Sequence, residues 1–119
     1  MTFQVKRAYD RPDPKDGLRV LVDRLWPRGV RKEDAAIDLW AKEMAPSKDL
    51  REWFGHDPDK WDGFKDRYFK ELRRNPSPWR ALLEKARHGR VTLVYAAKDE
   101  DHNNAVALLE FLQDPPESE

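Results

Sequence analysis

The chain has 119 residues with 23 acidic and 23 basic side chains and no cysteine, so its formal net charge is zero. That length builds one domain around a core of ordinary size. The missing cysteines exclude a disulfide framework, a thiolate metal site and a cysteine nucleophile.

In chain order, residues 3–9 read as a first strand. Asp10-Arg11-Pro12-Asp13-Pro14-Lys15-Asp16-Gly17 follows as a turn, because two prolines and a terminal glycine break regular structure. Residues 18–23 are the second strand, and Val20-Leu21-Val22 is too continuous for a strand open to water on one face. Pro27 and Gly29 break the chain after it. Residues 32–36 suit a short helical turn, whereas 37–45 fit either a strand or a helix. Ser47 caps a helix over 48–54 that Gly55 ends. Pro58 opens the next helix, with Trp61, Phe64, Tyr68 and Leu72 spaced along one face. Ser77-Pro78 starts another, striped by Trp79, Leu82, Leu83 and Ala86 and stopped by Gly89. Residues 91–97 are a strong strand, and 102–112 a closing helix with Ala105, Leu108, Leu109 and Leu112 inward. The pattern predicts a single α/β domain over 1–113, with a small, mainly parallel sheet flanked by helices. A disordered acidic tail is expected over 114–119.

No apolar run approaches the roughly 20 residues that cross a bilayer. Met1-Thr2-Phe3-Gln4-Val5 lacks the basic start and apolar stretch of a secretory signal. A cytoplasmic protein without membrane contact is expected. Charge is unevenly spread: residues 6–32 hold nine Lys/Arg against four Asp, and 99–119 hold seven Asp/Glu and no base. The two ends either neutralise one another across the fold or leave an anion-attracting face.

Chemistry concentrates where the two strongest strands stop. Val20-Leu21-Val22 runs into Asp23-Arg24-Leu25-Trp26-Pro27-Arg28-Gly29, and Val94-Tyr95-Ala96-Ala97 runs into Lys98-Asp99. The intervening chain is mostly helical, as a crossover between parallel strands requires. If these strands are parallel, both polar ends share one sheet edge, where ligand crevices form in open α/β folds. Arg24 and Arg28 offer planar donor forks for a carboxylate or phosphate, unless they pair internally with Asp23 or Asp99. Lys98 and Asn103 complete the expected ligand-binding set. Asp23, Asp99 and His102 are candidates for acid–base work if burial separates the carboxyl pKa values; strand-end capping is the alternative for both aspartates. Trp26 reads as core rather than a stacking platform. His56-Asp57-Pro58-Asp59 and Asp99-Glu100-Asp101-His102 lack the spacing of a metal motif, so no metal is expected. The five glycines form no phosphate-cradling loop, and no cofactor is named by the residues.

Three stretches resemble the YeaO-like proteins, catalogued as domain of unknown function 488. They are Asp23-Arg24-Leu25-Trp26-Pro27-Arg28-Gly29, then Ala45-Pro46-Ser47 with Leu50-Arg51 and Trp53-Phe54-Gly55-His56, and Tyr95-Ala96-Ala97-Lys98-Asp99 with His102-Asn103. The resemblance runs from about Val5 to Leu112 and implies a small bacterial α/β protein, with no catalytic residues to carry over. Longer relatives look to hold a Cys-His pair after the last strand. Here His102-Asn103-Asn104 stands instead, so thiol chemistry does not transfer. The expected function is binding of an anionic small molecule, phosphorylated or nucleotide-like, with acid–base catalysis open. The alternative is a non-enzymatic nucleic-acid- or protein-binding module using the basic N-terminal face, which the zero net charge disfavours for nucleic acid.

Overall fold

The computed structural model describes residues 2–116. Among them, four strands form one sheet: β1 (Phe3–Arg7), β2 (Leu18–Leu21), β3 (Leu39–Trp40) and β4 (Val91–Tyr95), in the order β1-β4-β2-β3. Every pairing is parallel, with Arg7 opposite Tyr95 and Leu21 opposite Val94. β4 lies inside the sheet and all five of its residues are buried, which accounts for its uninterrupted Val-Thr-Leu-Val-Tyr run. The expectation of a mainly parallel α/β sheet therefore holds, and the sheet is parallel throughout.

Five helices surround it: α1 (Lys32–Ala35), α2 (Lys48–Phe54), α3 (Trp61–Arg74), α4 (Pro76–Ala86) and α5 (Asn104–Gln113). Side chains alternate across a strand, so β2 and β4 feed both faces of the sheet. Val20, Val91, Leu93 and Tyr95 join Phe64, Tyr68, Trp79, Leu108 and Phe111 in the main core. Leu21 and Val94 point the other way, into a smaller cluster with Ala8, Trp26, Ile37 and Trp40. No described helix is long and apolar enough to cross a membrane.

The 10–17 turn contains one 3₁₀ turn, Pro14–Asp16, capped by the Asp13 side chain. Gly17 leaves that turn at φ +66°, where a Cβ would stand 2.2 Å from the Arg90 carbonyl oxygen. Only glycine lets β2 begin beside β4 there. Asp16 is buried, and Arg19 donates to it at 2.6 Å and Lys6 at 3.1 Å. Burial alone would raise the Asp16 carboxyl; the Asp13 N–H, Lys6 and Arg19 together take it below the ordinary aspartate range.

Several boundaries differ from expectation. Residues 37–45 hold both elements that were open there, β3 and a 3₁₀ turn at Lys42–Met44. α4 starts at Pro76 with Asn75 as its cap, not at Ser77-Pro78, because Pro76 already occupies the first turn, where a missing N–H loses no bond. α5 starts after Asn103, whose side chain accepts from the Val106 N–H, rather than at His102. Of the expected tail, residues 117–119 lie outside the described residues.

Candidate functional site

Parallel pairing carries the ends of β1, β2 and β4 to one edge of the sheet. The segments leaving them line a cleft of about 550 Å³. Tyr9 comes from beyond β1, Asp23 to Arg28 from beyond β2, and Ala96 and Ala97 from beyond β4; His102, Asn103 and Asn104 come from the start of α5. Arg51, Glu52 and Phe54 of α2, with His56 just after it, Pro46 before it and Phe64 of α3, complete the wall.

The loop beyond β2 is fixed along its length. The Trp40 indole N–H donates to the Asp23 carbonyl at 2.8 Å and the Trp26 indole N–H to the Val30 carbonyl at 2.7 Å. The two indoles meet edge to face at 5.4 Å. The Tyr9 hydroxyl donates to the Arg28 carbonyl at 3.0 Å. Gly29 takes φ +78°, which lets the chain turn after Pro27 and leaves Arg28 exposed on the bend. Trp26, expected in the core, is only half-buried: it packs against Trp40 and also lines the cleft.

Arg24 and Arg28 both line the cleft and are exposed. Among the described residues neither guanidinium has a carboxylate within ion-pair distance, so the internal brace is not formed. Arg51 stands in the same wall and is likewise without an ion pair among the described residues.

Asp23 lines the cleft, but both of its oxygens are engaged. Oδ2 accepts from the Ala96 N–H at 2.9 Å, and Oδ1 from Asn104 Nδ2 at 3.0 Å. Asn104 Nδ2 also reaches the Val22 carbonyl at 2.9 Å, so one small network ties the ends of β2 and β4 to α5. Burial pushes the Asp23 carboxyl up; the Asn104 and Ala96 bonds and the Arg51 charge oppose that without cancelling it.

Asp99 pairs with His102 rather than with Asp23. Its Oδ2 lies 3.0 Å from His102 Nδ1, and its Oδ1 accepts from the N–H groups of Asp101 and His102. The Asp101 N–H leads in holding this carboxyl below the ordinary range. The two aspartates are shifted in opposite directions, but each belongs to its own network. Asp99 and the exposed Lys98 are not among the cleft-lining residues. His102 is, with its ring edge to face against Trp61 at 5.3 Å. Asn103 is buried with its side chain consumed, capping α5 and donating to the Asp99 carbonyl at 2.9 Å.

Residue chemistry missed Arg51, Glu52 and His56 as members of the wall. The available signal was α2 itself: Leu50 and Phe54, four apart, are its buried stripe, which leaves Arg51 and Glu52 facing outward between them. His56 has φ +57°, directly after Gly55 at +54°, and this double left-handed bend brings the chain past the cleft. No group of three or more His, Cys, Asp or Glu able to hold a metal occurs among the described residues.

Fold and cleft define a small, all-parallel α/β protein with an arginine-bearing crevice at the C-terminal edge of its sheet. The chain belongs to the DUF488 family, within the group described as the inactive DUF488-N3 subclade, whose model matches residues 2–119. It is similar to uncharacterized protein YeaO of Escherichia coli (strain K12), at 40% identity over 113 residues covering 95% of this chain and 98% of that one. It is also similar to uncharacterized proteins Mb3100c of Mycobacterium bovis and Rv3073c of Mycobacterium tuberculosis, each 54% identical over 69 residues, or 58% of both chains. No solved structure matches the chain.

Proposed function

We propose that this protein binds a small phosphorylated anion in the cleft and that binding, rather than turnover, is its activity. The observation that carries the reading is the presence of Arg24, Arg28 and Arg51 in one wall, all without ion pairs among the described residues. A guanidinium left without a carboxylate presents a planar fork of donors suited to a phosphate. The loop behind Arg24 and Arg28 is already held by two indoles and Tyr9, so little backbone ordering opposes binding.

Two observations favour binding over catalysis. The subclade is described as inactive. Asp23, the one aspartate in the cleft wall, spends both oxygens on the fold. His102 is then a wall residue oriented by Asp99, available to bond the ligand, while Asn103 beside it has its side chain spent on the α5 cap and the Asp99 carbonyl.

The test is a thermal-shift titration with ribose 5-phosphate and inorganic phosphate. A ligand at about 100 times its dissociation constant adds roughly 2.7 kcal/mol, several degrees for a domain of this size. Arg28→Ala is expected to erase that shift while its own unfolding stays within about 0.5 kcal/mol of wild type, as for an exposed side chain without partners. A shift that survives in Arg28→Ala, or no shift in wild type, overturns the reading. Short oligonucleotides belong in the same panel: stabilisation by these alone, falling steeply with salt, would favour a nucleic-acid-binding module instead.

A further inference from the structure

The cleft offers more than an anion needs. Its volume of about 550 Å³ falls within the range of about 300–1,000 Å³ that encloses a cofactor- or drug-sized molecule. Phe54 and Phe64, in contact at 4.5 Å, contribute aromatic surface to its lining. Three large hydrophobic side chains stand exposed among the described residues: Tyr9 at 48%, Leu25 at 66% and Leu39 at 37%. The two most exposed, Tyr9 and Leu25, both belong to the cleft. The Tyr9 ring is fixed in place, its hydroxyl on the Arg28 carbonyl at 3.0 Å and the Arg7 guanidinium 5.1 Å from its centre. With Arg7 over one face, the other face of this tethered, half-exposed ring offers a stacking surface at the side of the cleft.

Glu52 adds a third group. It lines the same cleft, exposed, and among the described residues its carboxylate has no ion pair. A carboxylate offers acceptor oxygens, so this exposed side chain is placed to receive a hydroxyl or amino donor from a ligand seated here.

Building on the anion-binding reading above, we propose that the ligand is a nucleoside monophosphate. Its phosphate meets Arg24, Arg28 and Arg51, its base stacks on Tyr9 beside Leu25, and Glu52 accepts from a sugar hydroxyl or a base amino group.

The experiment is isothermal titration of the full chain at one fixed salt concentration. The probes are the four common ribonucleoside monophosphates, ribose 5-phosphate and adenosine. The proteins are wild type, Tyr9→Ser, Leu25→Ser and Arg28→Ala, each checked for folding by circular dichroism. At least one nucleotide is expected to bind wild type about tenfold or more tightly than ribose 5-phosphate, the scale of a single base–aromatic stack. Tyr9→Ser is expected to bring the ratio of nucleotide to ribose 5-phosphate affinity to about one, over and above any loss common to both probes from freeing the Arg28 carbonyl, and Leu25→Ser to lower that ratio in the same direction. Equal affinity of wild type for ribose 5-phosphate and every nucleotide overturns this inference and leaves the anion reading standing. Failure of every phosphate to bind overturns both. Adenosine binding as tightly as adenosine monophosphate also overturns both, because the arginines would then contribute nothing.

Discussion

Asp16 sits buried between three elements and accepts from Arg19, Lys6 and Gln4. Replacing it by asparagine keeps the shape but leaves Arg19 and Lys6 facing one another without a counter-charge. Breaking a buried pair from one side costs about 3–5 kcal/mol, and urea unfolding of Asp16→Asn at neutral pH is expected to show a loss on that scale. The pH dependence has a definite sign. The Asp16 carboxyl lies below its ordinary value in the folded chain, so its contribution is present above the unfolded aspartate range and is lost as pH falls through the folded value. Asp99, also lowered, adds the same acid-side loss. Asp23 works in the opposite sense: its carboxyl is raised, so its contribution is present below the ordinary range and lost as pH climbs through its folded value. Wild-type stability is therefore expected to fall below about pH 4, and Asp16→Asn to show a shallower acid slope from a lower starting point.

The helix α2 was legible to the residue, because both of its ends carry side-chain signals: Ser47 caps one and Gly55 takes the left-handed turn at the other. Ser47 Oγ accepts from the Leu50 N–H at 3.2 Å and donates to Glu71 of α3 at 2.6 Å. Ser47→Ala is expected to cost about 1–2 kcal/mol in urea unfolding, and to weaken phosphate binding as well, since α2 carries Arg51. At the start of α4, Ser77-Pro78 reads as the cap and first residue, but Asn75-Pro76, two residues earlier, takes those places. β3 is only two residues long, too short to show any period. The cleft was half legible for a related reason. Asp23 to Arg28 stand out because an apolar strand ends there abruptly, so the site announces itself along the chain. Arg51, Glu52 and His56 reach the same cleft only through the packing of α2 on the rest of the molecule. The pairing of Asp99 with His102 is local, three residues apart, yet it depends on a turn that propensity alone does not specify.

For the molecule as a whole, β4 is the element on which the others depend. It pairs with β1 on one side and β2 on the other, and every one of its residues is buried. Its amides are expected to be the slowest to exchange with deuterated solvent, opening only with global unfolding, while β3, paired on one side at two positions, exchanges sooner. Proton-detected exchange by nuclear magnetic resonance checks this residue by residue. The strand order has a consequence for how the protein is made. β1 and β2 are made before β4, but they do not pair with one another; the slot between them is filled by a strand synthesised some 70 residues after β2 ends. Until then neither half of the sheet exists in its final form, and the arginine loop after β2 has no Ala96 N–H or Asn104 to anchor the Asp23 at its start. Closing such distant contacts is slow compared with forming local helices. The nascent chain thus waits for one late strand, so that sheet and cleft come into being together, once β4 and the start of α5 have been made.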